Sequence, residues 1–318
     1  MNPVDKLIFN YQMVRATSFS YCLFKYFGSK GKYSDMSDEK YVRELYRRFC
    51  GRELNLDDPQ TFTEKLQWLK LYDHDPLMTK VADKYAVKSY VSELIGSEHV
   101  IPCLGVWDDP AEIDFDVLPD SFVLKATHDS GGLIVVRDKT KLDIQDTIEF
   151  FKGRLKRNFY YVGRGWHYKN IPPKVIAEPY VDVLGKPDSV EYKITCINGR
   201  VEFVTVCGGI AHDRMDRRTN DFYDRNLKRL DMVTKYYANS CKPEDDQVVM
   251  PNCINEMIEV SEKLSAPFPT VRVDFYVYND DYIFGELTFH TWDGFIKFIP
   301  KEWDAILGEK LILPDKRL

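Results

Sequence analysis

Residues Val271–Gly294 read VRVDFYVYNDDYIFGELTFHTWDG, two apolar-alternating runs around Asn279-Asp280-Asp281. This pattern predicts a β-hairpin with a three-residue connection. Because side chains alternate along a strand, Val271, Val273, Phe275 and Val277 share one face. Arg272, Asp274, Tyr276 and Tyr278 share the other. With a three-residue loop, Tyr278 pairs with Tyr282, Tyr276 with Phe284 and Asp274 with Glu286. Two carboxylates then stand opposite each other, a destabilising arrangement unless something offsets it. A divalent cation such as Mg²⁺ does so, since it takes hard oxygen ligands and leaves positions open for phosphates.

The composition narrows the class around this hairpin. The chain has 318 residues, enough for a large core split into two lobes. No apolar run is long enough to span a bilayer. Seven dispersed cysteines, with no CxxC pair and no signal peptide, predict reduced thiols in a cytoplasmic protein. The six histidines lack metal-ligand spacing. A net charge of −6 argues against a general nucleic-acid partner.

The first 32 residues carry Lys6, Arg15, Lys25, Lys30 and Lys32 against Asp5 alone, interleaved with Phe9, Tyr11, Phe19, Tyr21, Phe24, Tyr26 and Phe27. Such a basic aromatic helix either packs on the protein body or makes a peripheral contact with a membrane surface. Helices are expected over 37–71, with Thr61 or Thr63 capping the one that contains TFTEKLQWLKLY. Asp73-His74-Asp75-Pro76 breaks that run, and the next helix is expected over Lys80–Ile95. Lys84 in its first turn is poorly placed for the helix dipole. It is either a solvated lysine or one that meets a phosphate.

Ser121–Arg137, SFVLKATHDSGGLIVVR, reads as a strand, a glycine-containing turn and a second strand. Lys125 interrupts the first strand, and Ser130, Gly131 and Gly132 end the turn. Glycines let a backbone approach phosphate oxygens and offer them N–H groups. A helix over 141–157 follows, then the long loop NFYYVGRGWHYKNIPP with Arg164, Trp166 and His167, too distinctive for a plain connector. Val175–Val181 is a strand released at Pro179, and Glu191–Cys207 is a hairpin turning at Asn198-Gly199. Residues 210–250 read as polar and irregular, where Arg214, Arg217 and Arg218 are either solvated or hold an anionic substrate. A helix is expected over 253–266.

The fold class is therefore α+β. A helical N-terminal extension is expected over 1–78, a small lobe with the lysines and glycine-rich lid over 79–175, and a large lobe with the carboxylates over 176–318. Lysines on one lobe and carboxylates on the other suggest a nucleotide held between them.

In their order and spacing, FTEKLQWLKLYD, DKYAV, KATHDSGG, WHYKNI, IAEPY, RVDFY and GELTF resemble the TupA-like branch of the ATP-grasp superfamily, over roughly 60–307. That branch is associated with bacterial capsule and teichuronopeptide biosynthesis. The resemblance implies that Lys84 and Lys125 contact the phosphates of ATP, with Ser130, Gly131 and Gly132 in the lid over them. It implies Glu178, Pro179, Tyr180 and Val181 at the adenine, Glu191 at the ribose hydroxyls, and Asp274 and Glu286 on Mg²⁺. Arg272 matches the arginine that steadies charge at the reacting acyl centre, and with Lys125 forms the implied catalytic pair. Thr288 stands where many ATP-grasp enzymes have an asparagine ligand, and it is left out of the metal set.

The implied activity is ATP-dependent carboxylate–amine ligation through an acyl phosphate. The substrates would be an amine such as an amino acid and a carboxylate on a surface glycan or its precursor, at the inner face of the membrane. Two other classes share the site: a kinase acting on a sugar hydroxyl, and an inactive nucleotide-binding scaffold. The presence of both Asp274 and Glu286 speaks against the scaffold.

Overall fold

The computed structural model describes residues 17–182, 190–209, 218–237, 239–240, 250–279 and 281–318. Asp5, Lys6, Phe9, Tyr11, Arg15, Arg214, Arg217, Cys241 and Asp280 lie outside them. The chain divides into two compact units, one of 1–74, 161–164 and 183–318, the other of 75–160 and 165–182.

The first unit begins with helices. Helix α1 (Phe19–Ser29) is capped by Ser18, whose hydroxyl accepts from the Tyr21 amide. It buries Tyr21 and Phe24 against Phe49 and Tyr33, while Phe19, Leu23 and Tyr26 face outward. Helix α2 (Asp38–Cys50) has Asp38 and Glu39 in its first turn and Arg47 and Arg48 in its last, matching the helix dipole. It stops at Gly51, whose φ of 72° lies in the left-handed region. Helix α3 (Phe62–Tyr72) starts with a capping box, Thr61 and Glu64 satisfying each other's backbone N–H groups. These helices share one apolar core with strand residues Ile197, Phe203 and Phe222 and with Phe295 and Leu307. Helix α1 is thus built into this unit.

In the second unit, α4 (Pro76–Ala82) and α5 (Ala86–Ile95) replace the single helix expected over 80–95. Asp83 causes the break: its carboxylate accepts from the Tyr85 amide at 2.8 Å, a local turn that competes with helix. Strands β1 (Gly105–Trp107), β2 (Phe122–Ala126), β3 (Leu133–Val136) and β4 (Val175–Pro179) form an antiparallel sheet in the order β1-β4-β2-β3. Phe122, Leu124, Ala126 and Ala177 pack with Phe151 of α6 (Ile144–Leu155), and Lys125 and Glu178 lie on the opposite face of the sheet.

The first unit resumes with β5 (Glu191–Ile197), β6 (Arg200–Gly208) and β7 (Thr219–Tyr223), then β8 (Val233–Thr234). Strands β7 and β8 occupy a stretch expected to be irregular. Helix α7 (Ile254–Ser265) leads into the hairpin β9 (Thr270–Tyr278) and β10 (Asp281–Thr288). The antiparallel sheet runs β10-β9-β5-β6-β7. Asn198 (φ 49°) and Gly199 (φ 73°) make the expected turn between β5 and β6. Strand β11 (Phe298–Ile299) pairs with β8, and α8 (Glu302–Lys310) binds α3 through Asp304, which accepts from the amide and hydroxyl of Thr63 at 2.8 and 2.9 Å.

The opening hairpin differs from expectation by one residue. Asp281 already lies on β10 opposite Tyr278, so Tyr282 faces Val277 and Phe284 faces Phe275. A bulge at Gly285 then inserts one residue, and Glu286 meets Asp274 after all.

Candidate active site

The second unit offers a cationic face. On β2, Val123 and Lys125 point away from the core, and antiparallel register sets Leu133, Val135, Ile176 and Glu178 on the same side. Leu133 and Val135 are 48% and 44% exposed, an apolar plate beside a charged cluster that suits a flat heterocycle. In that cluster the buried Glu178 carboxylate ion-pairs with both Lys125 and Lys88. Burial pushes the carboxyl upward, but the two ammonium groups outweigh it and hold Glu178 below the usual carboxylate range. Lys88 sits on α5 and also donates to the Ile101 carbonyl at 2.6 Å.

The glycine-containing turn adjoins this cluster. Lys84 donates to the Asp129 carbonyl at 2.6 Å, tying the break between α4 and α5 to the turn. Asp129 accepts from the Ser130 amide at 2.7 Å and ion-pairs with Arg154 of α6, which also donates to the Ser130 carbonyl. Gly131 has φ 73° and open space where a Cβ would stand, so the turn can present bare backbone. Pro179 ends β4, and Tyr180 turns its hydroxyl to Asp182 at 2.7 Å.

The first unit offers carboxylates. Register places Glu191, Lys193 and Thr195 of β5 opposite Tyr276, Asp274 and Arg272 of β9, with Glu286 and Thr288 beyond on β10. Arg272 donates to both Asp274 oxygens, at 2.5 and 2.6 Å, and Lys193 donates to one of them at 2.7 Å. Lys193 also reaches Glu191 at 2.8 Å. Burial raises Asp274, yet Arg272 and Lys193 together keep it well below the ordinary aspartate value. Glu191 goes the other way: burial lifts its carboxyl, and Lys193 only partly opposes this. Arg272 further donates to Thr288 at 3.1 Å and approaches Glu286 at 3.4 Å, while the Thr288 hydroxyl donates to Glu286 at 2.9 Å.

Both oxygens of Asp274 are engaged by Arg272 and Lys193, and Glu286 is the half-exposed carboxylate beside them. Among the described residues no group of three or more His, Cys, Asp and Glu has metal-binding geometry. A cation here would take oxygens from Asp274 and half-exposed Glu286 and fill its shell with phosphate and water, as Mg²⁺ does.

Within each unit the structure therefore brings together most of the residues singled out in the sequence. Lys84 lies against the Ser130–Gly132 turn, Lys125 against Glu178, and Arg272, Asp274, Glu286 and Glu191 share one sheet face. Two participants were missed. Lys88 follows Lys84 by one helical turn but carries no motif of its own, and Lys193 shares the Glu191 face by simple alternation. Thr288, left out of the metal set in the sequence, accepts from Arg272 and donates to Glu286. The long loop is structural at Arg164, which is buried, donates to the Tyr33 carbonyl at 2.6 Å and stacks over Tyr41.

A family model described as TupA-like ATP-grasp matches residues 64–312. Among solved structures, the chain is similar to a D-alanine–D-alanine ligase from Bacillus anthracis, at 16% identity and TM-score 0.38, covering 66% of this chain and 57% of that one. It is also similar to a D-cycloserine synthetase, at 15% identity and TM-score 0.39, covering 74% and 72%. An ATP-grasp ligase complexed with a precursor peptide and AMPPNP aligns at 12% identity and TM-score 0.36, covering 71% and 56%. The chain spans just over half the length of the first and third of these. No curated protein sequence matches it.

Proposed function

The chain belongs to the TupA-like ATP-grasp family, and from that premise we propose that it is an ATP-dependent carboxylate–amine ligase. Lys84 and Lys125 take the phosphates, with Ser130, Gly131 and Gly132 closing over them. Glu178, Pro179, Tyr180 and Val181 meet the adenine beside Leu133 and Val135. Glu191 accepts from the ribose hydroxyls. Asp274 and Glu286 hold Mg²⁺, which when bound offsets phosphate charge and orients the transferred group.

The γ-phosphoryl group passes to a substrate carboxylate oxygen, giving ADP and an acyl phosphate. An amine nitrogen then attacks the carbonyl carbon, the C–N bond forms, phosphate leaves with its bridging oxygen, and the amine loses a proton. Arg272, fixed by Asp274, offers N–H groups to the oxyanion of that step. Arg272 and Lys193 together keep Asp274 ionised. The observation that carries the reading is this Arg272–Asp274–Glu286 network on one hairpin.

The substrates are an amine such as an amino acid and a uronic-acid or amino-acid carboxylate of a surface glycan or its precursor, a choice supported by family resemblance alone. The site of action is the cytoplasmic membrane face, where Phe19, Leu23 and Tyr26 of α1 rest on anionic lipid beside Lys30 and Lys32. Cosedimentation with anionic vesicles checks that contact; equal recovery of wild type and a Phe19→Ser, Leu23→Ser variant would remove it.

The enzymatic reading is tested by screening amino acids against nucleotide-linked uronic acids for coupled release of ADP and phosphate. Asp274→Asn and Glu286→Gln should each lower that release by roughly 100-fold or more. Near-wild-type turnover in either variant would falsify the assignment.

A further inference from the structure

One part of the sequence motif FTEKLQWLKLYD is not used by the chemistry above: the polar face that α3 buries. Gln67 and Lys70 lie among apolar neighbours with almost no exposure. A buried ammonium is costly, and an apolar side chain would serve a plain core better. Both residues spend their donors on one short segment. Lys70 donates to the Asp293 carbonyl, and Gln67 donates to the Gly294 carbonyl at 2.9 Å and the Asp293 carbonyl at 3.3 Å.

That segment, His290–Gly294, directly follows β10. His290, Trp292 and Asp293 have φ of 49°, 56° and 57°, a left-handed run rarely adopted by residues other than glycine. Strain of this kind persists only where the surroundings impose it. Here Tyr236 stacks on Trp292 at 4.3 Å, and Lys25 ion-pairs with the Asp293 carboxylate. The run also sets Thr291 so that its hydroxyl lies 3.5 Å from Nη1 of Arg272.

We propose that Lys70 and Gln67 are positioning residues: from α3 they clamp the left-handed turn, which sets Thr291 against the Arg272 guanidinium. The assignment rests on the ligase reading for its catalytic consequence and on geometry alone for the clamp. Lys70 touches no atom that the reading assigns to the nucleotide site, so it acts on turnover and leaves nucleotide affinity alone.

The test compares full-length wild type, Lys70→Met, Thr291→Val and Thr291→Ser. Lys70→Met and Thr291→Val should lower kcat for ADP release about tenfold or more, since displacing a catalytic group by an ångström costs up to roughly 100-fold. KM for ATP should stay near wild type, and Thr291→Ser should restore kcat. Hydrogen exchange supplies a readout that needs no substrate. In Lys70→Met the amides of Gly294 and Phe295, which bond to His290 and Trp292 carbonyls, should exchange faster while β5 and β9 keep their protection. Unchanged exchange at Gly294 and Phe295, or faster exchange across the whole chain, would overturn the clamp. Exchange confined to the turn with unaltered kcat would overturn the positioning role. If wild type released no ADP with any substrate pair, the ligase reading would fail, and the exchange result would still decide the clamp.

Discussion

Lys70 shows how much one side chain can report about its surroundings. Burial pulls its ammonium down to about 7, against an ordinary lysine value of 10.5. Asp293 pulls the value up, and Lys25 pushes it further down. The sign of the consequence follows from linkage. Below about pH 7 the lysine is protonated folded and unfolded, and the desolvation penalty is fully present. Between about 7 and 10.5 the unfolded chain binds a proton that the folded chain lacks, so raising the pH favours the fold. We expect wild type to gain stability over Lys70→Met as pH rises above about 7, with a slope of at most about 1.4 kcal/mol per pH unit. Denaturant titrations at several pH values measure the difference directly. Buried thiols of Cys50 and Cys196, both raised by burial, bend the two curves alike and cancel. Parallel stability curves would mean that Lys70 keeps an ordinary pKa.

At the scale of the element, the β9–β10 hairpin depends on one glycine. Gly285 forms the bulge that returns Glu286 to Asp274, and a Cβ there would stand 3.0 Å from the Asp274 carbonyl and 3.2 Å from the Tyr276 ring. Gly285→Ala should therefore destabilise the protein by roughly 1–3 kcal/mol through overpacking, and weaken Mg²⁺-dependent ATP binding as Glu286 shifts. Gly153 in α6 is the control: a Cβ meets nothing within 4 Å, and alanine in a helix is favoured by up to about 1 kcal/mol. Thermal melts that move both variants the same way would refute the argument. The same bulge explains what was legible in the sequence. Alternation puts Arg272 and Asp274 on one face, but Glu286 joins them only because the bulge offsets a turn one residue shorter than expected, and Tyr282 and Phe284 lie on the opposite, buried face. Period-two patterns say little about a one-residue insertion, so the pairs nearer the turn came out one step off. The Thr61–Glu64 cap and the Asn198-Gly199 turn were legible because each is specified by adjacent residues. The break at Asp83 was not, because a local Asx turn and a continued helix fit the same apolar pattern. Lys88 and Lys193 stayed hidden for a related reason, since only the assembled sheets show which carboxylate each lysine meets.

For the whole molecule, two reactions are told apart by where the phosphoryl group goes. A kinase on this scaffold would use the same lysines, the same carboxylates and the same Mg²⁺, but would leave phosphate on its product. A ligase of the proposed kind forms an acyl phosphate before the amine nitrogen attacks. On the proposed reading Arg272 serves the second course. Two of its N–H groups are held by the Asp274 carboxylate at 2.5 and 2.6 Å, and its remaining edge faces Thr288 and Thr291. A guanidinium fixed this way can stabilise a tetrahedral oxyanion without reorganising, and loss of one such donor costs roughly 2.7–4 kcal/mol in the chemical step. Hydroxylamine offered in place of the amine should give a hydroxamate of the carboxylate substrate, and only when ATP and Mg²⁺ are present. Arg272→Ala should cut the hydroxamate yield far more than it raises the ATP concentration needed for half-maximal rate. Phosphorus NMR of the same mixture follows the other branch, since a kinase product carries a new phosphate-ester signal and the ligase leaves free phosphate. A phosphate ester without hydroxamate, from any carboxylate that stimulates ADP release, would make this protein a kinase and end the ligase reading.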